Sequence, residues 1–292
     1  MKSKNNFTGF MGVLCLTFVC LTVSVWLLFT PNSFAGEVKI GVVEISQKNV
    51  PLVITRPGSY CLISNLTVSS PDVSAITNNA DNVTIDLNGF TISGPGKGVS
   101  GIGIKNDMMR GVYNVVVKNG TVRAWGIGIH LHGTNNRVEN VRVLEAGHGI
   151  FVGSSSVVSQ CQVAFCTVGI GTEDGTMVLN NTIYSMDHLC IGTSGGGVPD
   201  GGVTVIGNNC RLSSVGIRVI GQSNRIEGNS ITQYSQIGID LRGSKANYFA
   251  KNLLQDNGTS GAKSWVGESD NIDGGLIDLA LSNIILPSYV PL

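Results

Sequence analysis

The sequence is short of charge, of aromatic side chains and of histidine. Only 13% of its 292 residues are charged, 6% are aromatic and four are histidine. Nineteen basic residues balance nineteen acidic ones. Without a positive surplus the chain does not hold nucleic acid or an anionic membrane by bulk electrostatics. There is no CxxC pair, and no His stands at a metal-ligand interval from a pair of cysteines. Glycine occupies 39 positions with no G-X-Y period, which excludes a collagen-like chain. Valine and isoleucine are too frequent for a disordered one.

The first 35 residues read as an address. Lys2 and Lys4 precede an uncharged stretch, Val13 to Phe29, and Pro31-Asn32 breaks it. Ser33 and Ala35 then put small residues at −3 and −1 of a cut after Ala35, a secretory signal pattern. The apolar stretch approaches the length of a membrane span, so an uncleaved N-terminal anchor is the alternative and the only expected membrane contact. Either way the remainder is expected to be exported: periplasmic, cell-surface or extracellular. Cys61, Cys161, Cys166, Cys190 and Cys210 remain after the leader, odd in number and irregular in spacing. They read as small buried core residues, with a disulfide or a metal site as the alternatives.

What is present is a repeat. Asn, once Gln, recurs at Asn119, Asn140, Gln160, Asn181, Asn209, Asn229 and Asn252, with gaps of 21, 20, 21, 28, 20 and 23. Gly-Ile or its equivalent recurs at Gly128-Ile129, Gly149-Ile150, Gly169-Ile170, Cys190-Ile191, Gly216-Ile217 and Gly238-Ile239. The second marker follows the first by 9 residues in five repeats and by 7 in one. Two markers in phase define a unit. Within it, runs such as Val141/Val143 and Ile150/Val152 alternate with period two, and Gly, Asn and Ser punctuate them. About 21 residues in three strands and three turns predict one coil of a single-stranded parallel β-helix. The Asn column is expected to be a structural ladder, its amides bonding from coil to coil. The expected organisation is a signal or anchor at 1–35, a cap and first coil at 36–70, the β-helix at 71–258 and a C-terminal cap at 259–292.

The phased N-x-V and G-I-x-V pattern, with Asn82-Val-Thr-Ile-Asp-Leu-Asn-Gly89 ahead of it, resembles the secreted right-handed parallel β-helix proteins of the pectin-lyase-like superfamily. The resemblance covers about residues 60–258. Within the superfamily it is most similar to repeat proteins of the nitrous-oxide-maturation and carbohydrate-binding/sugar-hydrolase type. It implies an all-β, right-handed solenoid, and leaves open polysaccharide lyases, glycoside hydrolases, epimerases, tailspikes and adhesins. Gly147-His148-Gly149-Ile150 also resembles the Gly-His-Gly-Ile segment of polygalacturonases. That family needs paired carboxylates. Here Glu139 and Glu145 are the only acids on the coils before His148 and beside it, and the later Arg-x-Lys is missing.

With Ile of Gly-Ile pointing inward, the next residue points outward. That stripe reads His130, Phe151, Gly171, Gly192, Arg218, Asp240. Two residues further on come His132, Gly153, Glu173, Ser194, Ile220 and Arg242. Two longer segments, 105–113 and 193–202, fall on the same edge, where solenoids usually place binding loops. The expected substrate-contacting residues are His130, Phe151, Glu173, Asp174, Asp200, Arg218, Asp240 and Arg242, around a shallow floor at Gly171 and Gly192. Aromatic faces and guanidinium forks suit an extended, acidic polysaccharide or cell-surface glycan. Ca²⁺ is the cofactor such acids would admit, and no other is expected. The function expected is glycan binding, with lyase or hydrolase action if the protein is an enzyme. A non-catalytic adhesive rod and a periplasmic metal-maturation accessory are the alternatives.

Overall fold

The computed structural model describes residues 41–107, 111–193, 201–267, 271–273 and 284–285. The leader expected at 1–35 lies outside the described residues. From Gly41 onward the chain forms one unit. It is a parallel β-solenoid of about nine turns with about 22 residues in each.

One turn shows how the sequence makes the shape. Ile127–Leu131 is its first strand, and Arg137–Leu144 bends at Asn140 to supply the second and third. The next turn repeats this with His148–Val152, Val157–Ser159 and Gln162–Ala164. Each strand pairs in parallel with its counterpart one turn on: Ile129 with Ile150, Val138 with Val158, Val143 with Val163. Three parallel sheets result, named here in chain order the Gly-Ile face, the second face and the third face. Leu52–Ile54 pairs with Ile76–Asn78, and Lys263–Gly267 pairs with the strand through Ile237–Leu241.

Every turn bends at three corners, and most corners hold one residue at positive φ. The corner before the second face carries Asn114, Asn135 and Ser155; the corner before the third carries Asn119, Asn140, Gln160 and Asn180. Asn tolerates the left-handed region best among side-chain-bearing residues, which explains its frequency. Asn119, Asn140 and Gln160 therefore act through their backbone conformation.

The ladder runs one residue later. Asn181, Asn208, Asn229 and Asn252 are each at most 1% exposed and stack one per turn. The Asn208 side chain has all four of its bonding positions in use. Its Oδ1 accepts from the Asn181 backbone N–H at 2.9 Å and from Asn181 Nδ2 at 3.0 Å. Its Nδ2 donates to Asn229 Oδ1 at 3.0 Å and to the Val178 carbonyl at 2.9 Å. The Asn229–Asn252 step repeats the pattern, with 3.0 Å for both bonds to Asn252 Oδ1. The regular Asn spacing thus merges two neighbouring columns. Asn181, Asn229 and Asn252 belong to the ladder; Asn119, Asn140 and Gln160 belong to the corner before it. Asn209, expected in the ladder, is exposed and pairs with Thr182, while Asn208 holds the ladder place. A second ladder, not foreseen from the spacing, lines the preceding corner through Asn224 and Asn247, with 2.9 Å between Asn224 Nδ2 and Asn247 Oδ1.

Between the sheets runs one continuous apolar column, with Ile129, Ile150, Ile170, Ile191, Ile217 and Ile239 each at most 1% exposed. The glycine before five of these isoleucines has a steric cause. A Cβ on Gly149 would stand 2.5 Å from Val163 Cγ1 on the facing third-face strand. Such an approach is closer than side chains tolerate, so the column stays narrow where glycine stands.

Candidate functional site

On the Gly-Ile face, registered pairs place Lys105, His130, Phe151, Gly171, Gly192, Arg218 and Asp240 in one outward row, one per turn. Strand spacing separates neighbours by about 4.8 Å. The row changes chemistry as it climbs: a cation, an imidazole, an aromatic ring, two positions without a side chain, then an ion cluster.

The two glycines open a recess of about 200 Å³, lined by His148, Phe151, Val168, Leu189, Gly192 and Thr193 among others. Phe151 leans over Gly171, where a Cβ would meet its ring at 2.9 Å. Leu189 leans over Gly192, where a Cβ would meet its Cδ2 at 2.5 Å. Phe151 is held in turn by the edge of the His130 ring, centroid to centroid 4.9 Å at 84°. His130 Nδ1 is buried and has no hydrogen-bond partner among the described residues. Burial, then the charges of His132, His148 and Lys105, hold its pKa below the ordinary histidine value. The imidazole is therefore a neutral prop for the ring. Near the start of these strands, Lys97 pairs with Asp187 at 2.6 Å, which holds the Asp187 carboxyl below the usual range.

Immediately above Gly192 stands Arg218, and above that Asp240. Asp240 is 2% exposed and lies under two guanidiniums. Arg218 Nε donates to its Oδ2 at 2.8 Å. Arg242 donates through Nε to Oδ1 at 2.9 Å and through a terminal nitrogen to Oδ2 at 2.8 Å. Burial pushes the Asp240 carboxyl up, but the bonds from Arg242 and Arg218 outweigh it and bring it down to about 2. Such a group neither gives nor takes a proton near neutral pH. The cluster keeps one net positive charge at the upper rim of the recess.

The remaining expected residues sit elsewhere. Glu173 and Asp174 lie at the corner after the Gly-Ile strand, where Ser154 Oγ donates to Glu173 at 3.1 Å and to Asp174 at 2.7 Å. His132 Nδ1 is 3.9 Å from Glu173. Asp200 lies outside the described residues, as do 108–110 and 194–200 of the two longer segments. The structure thus brings Phe151 to the recess, backs its ring with His130, registers Arg218 beside Gly192, buries Asp240 under Arg218 and Arg242, and sets Glu173 and Asp174 to the side.

A second recess, of about 320 Å³, was not expected from the sequence. It lies on the third face between Leu144, Phe165, Tyr184 and Arg211. Phe165 is 51% exposed and holds a corner at φ 60°, a conformation costly for a bulky residue. Its ring meets Tyr184 edge-on at 5.7 Å, and the Arg211 guanidinium lies 5.9 Å from the Tyr184 ring. The available signal was a lone aromatic in a corner column that otherwise reads Ala124, Glu145, Ser185, Leu212 and Gln233.

The family model described as "Periplasmic copper-binding protein (NosD)" matches residues 82–272. No curated protein matches the chain in sequence. Among solved structures the chain is similar to the Dettilon tailspike protein (gp208), at TM-score 0.64 and 13% identity, over 85% of this chain and 54% of that one. It is also similar to XylC in its complex with xylose, at TM-score 0.52 and 11% identity, over 66% of this chain and 38% of that one. The chain therefore spans about half the length of the tailspike it matches, and these likenesses show the fold.

The family description names copper, and the donor set does not fit it. Among the described residues no three His, Cys, Asp or Glu side chains converge as a metal site requires. The partnerless His130 nitrogen has an aromatic edge and His132, 6.4 Å away between ring centroids, for company. The cysteines at 61, 161, 166, 190 and 210 are buried. The same test leaves the expected Ca²⁺ without a described site.

Proposed function

We propose, for a chain that belongs to the NosD family of parallel β-helix proteins, that it binds an extended, acidic glycan along the Gly-Ile face outside the cytoplasm. The observation that carries this reading is the recess at Gly171 and Gly192. A sheet face that omits two successive side chains, between an aromatic ring below and a guanidinium above, leaves a slot open at the surface. The apolar face of a sugar ring fits against Phe151 and Leu189, and its carboxylate reaches the Arg218 edge. XylC, which shares the fold, is seen with xylose. The family description supports a periplasmic location.

The role proposed is recognition, not turnover. Glycoside hydrolysis requires an acid and a base with separated pKa values across the bond. Asp240 is the acid nearest the recess in the row, and its oxygens are committed to two arginines. The test is incubation of the purified protein with neutral and uronate-rich polysaccharides, reading bound protein and new chain ends in the same samples. Retention on uronate-rich polymers without new ends is the expected result. New ends would make the protein an enzyme. No retention on any polymer would remove the glycan reading and favour a structural rod.

A further inference from the structure

The glycine column of the Gly-Ile face breaks once. Glycine stands at 128, 149, 169, 216 and 238, but position 190 is cysteine. The registers Val168–Leu189, Ile170–Ile191, Leu189–Val215 and Ile191–Ile217 put Cys190 in that column, between Gly169 and Gly216. The residues facing the column across the core come from the third face. They are Val143, Val163, Ile183, Cys210 and Ile231, aligned turn by turn. Cys210 is therefore the residue that faces Cys190. In the one turn where the small partner grows from Gly to Cys, the large partner shrinks from Val or Ile to Cys.

The spacing of this column fixes how close the two cysteines stand. A Cβ on Gly128, Gly149, Gly169 or Gly216 would lie 2.4, 2.5, 2.8 or 2.3 Å from the facing branch carbon. Adding one carbon–carbon bond puts the two Cβ atoms of such a pair within about 4 Å, inside the range of a disulfide. Cys190 and Cys210 are both free thiols in this structure, buried at 0% and 1% exposure, and each shifts the other's titration. Among the described residues the other three cysteines, Cys61, Cys161 and Cys166, have no such facing partner: the thiols of each reach backbone carbonyls.

The geometry points to a Cys190–Cys210 disulfide that bolts the Gly-Ile face to the third face within a single turn. In the bond-forming step the two thiols lose two protons and two electrons. A disulfide donor, protein or small molecule, takes them up and leaves as two thiols. Both sulfurs are sealed in the finished core, so exchange happens while that turn is still open, during folding. The bond pins the strand Leu189–Thr193, which supplies Leu189, Gly192 and Thr193 to the recess. It also closes a loop of about 20 residues and so removes chain entropy from the unfolded state. The inference rests on the core geometry and stands whether or not the recess takes a glycan.

The test is to refold the full chain with a glutathione redox pair, block free thiols in denaturant, digest, and map the linked peptides by mass spectrometry. The expected result is one cross-linked pair, Cys190 with Cys210, and alkylation at Cys61, Cys161 and Cys166. Alkylation of both Cys190 and Cys210 would overturn the proposal, as would linkage of either to another cysteine. A second measurement uses Cys190→Gly with Cys210→Ile, which restores the pairing of the neighbouring turns. The oxidised wild type should lose roughly 5–10 °C of Tm on reduction before unfolding, and this double variant none. An equal response of the two to reductant would also overturn it.

Discussion

Asn208 and Asn209 are neighbours in sequence and belong to different parts of the molecule. Asn208 is sealed in the ladder with every donor and acceptor matched; Asn209 faces solvent on the third face. The contrast extends to whole columns. The ladder keeps Asn from turn to turn at 181, 208, 229 and 252, because each amide completes the one below it. The outward row of the Gly-Ile face changes residue at nearly every turn, from Lys105 to Asp240. The same periodic backbone carries both. The inner column is set by hydrogen-bond satisfaction in a dry core, where an unmatched group is costly. The outer row escapes that constraint and is free to carry recognition.

The largest effect should come from breaking the inner column. Asn208→Ala strands the Asn181 backbone N–H and two amide groups, at a cost of about 3–5 kcal/mol. Asn209→Ala should stay within about 0.5 kcal/mol. Denaturant titration of the two single variants checks this, and equal losses would erase the distinction between the columns. Next comes the outer row. Gly192→Val fills the recess and should weaken glycan binding at least tenfold, at a stability cost of about 1–3 kcal/mol for displacing Leu189; calorimetry and a melt on one preparation report both.

Acid should separate the columns further. The folded Asp240 carboxyl is depressed to about 2, so its stabilisation is present above the unfolded value near 4 and is lost as pH falls toward 2. The Asp240→Asn variant should lack that part of the acid dependence. The difference is on the order of 1–2 kcal/mol, discounted because both guanidiniums are partly exposed. Comparing stability of the two proteins at pH 6 and pH 2.5 tests it. The smallest effect belongs to the corner column. Gln160→Gly relieves a positive φ of 55° and should stabilise by up to about 1 kcal/mol, read as a small rise in Tm.

The period, the β-branched alternation and the two phased markers made the solenoid legible, because every turn must repeat the same inward pattern. The exact ladder was not legible. At a corner the left-handed residue interrupts the in–out alternation, so a period identifies the turn without saying which of two adjacent residues points inward. The doublets Asn180-Asn181 and Asn208-Asn209 hide that shift. The other ladder was masked because Ser156, Thr176 and Val203 interrupt its asparagines. The glycine floor and Phe151 were readable from register alone. The saturation of Asp240 was not, since it depends on Arg242 folding back over a residue two positions earlier. Nor was the lean of Leu189 over Gly192, which follows from rotamer choice beside an empty position. Phe165 and Tyr184 escaped because the reading followed one face.

The central claim is that the row on the Gly-Ile face recognises a glycan through the slot at Gly192. Its most direct test is isothermal titration of a uronate-rich oligosaccharide into the wild-type protein and into Gly192→Val, both shown to be folded by the same melt. The account predicts saturable binding to the wild type and a loss of at least tenfold in the variant. Equal affinity in the two proteins, or no heat in either, would contradict it.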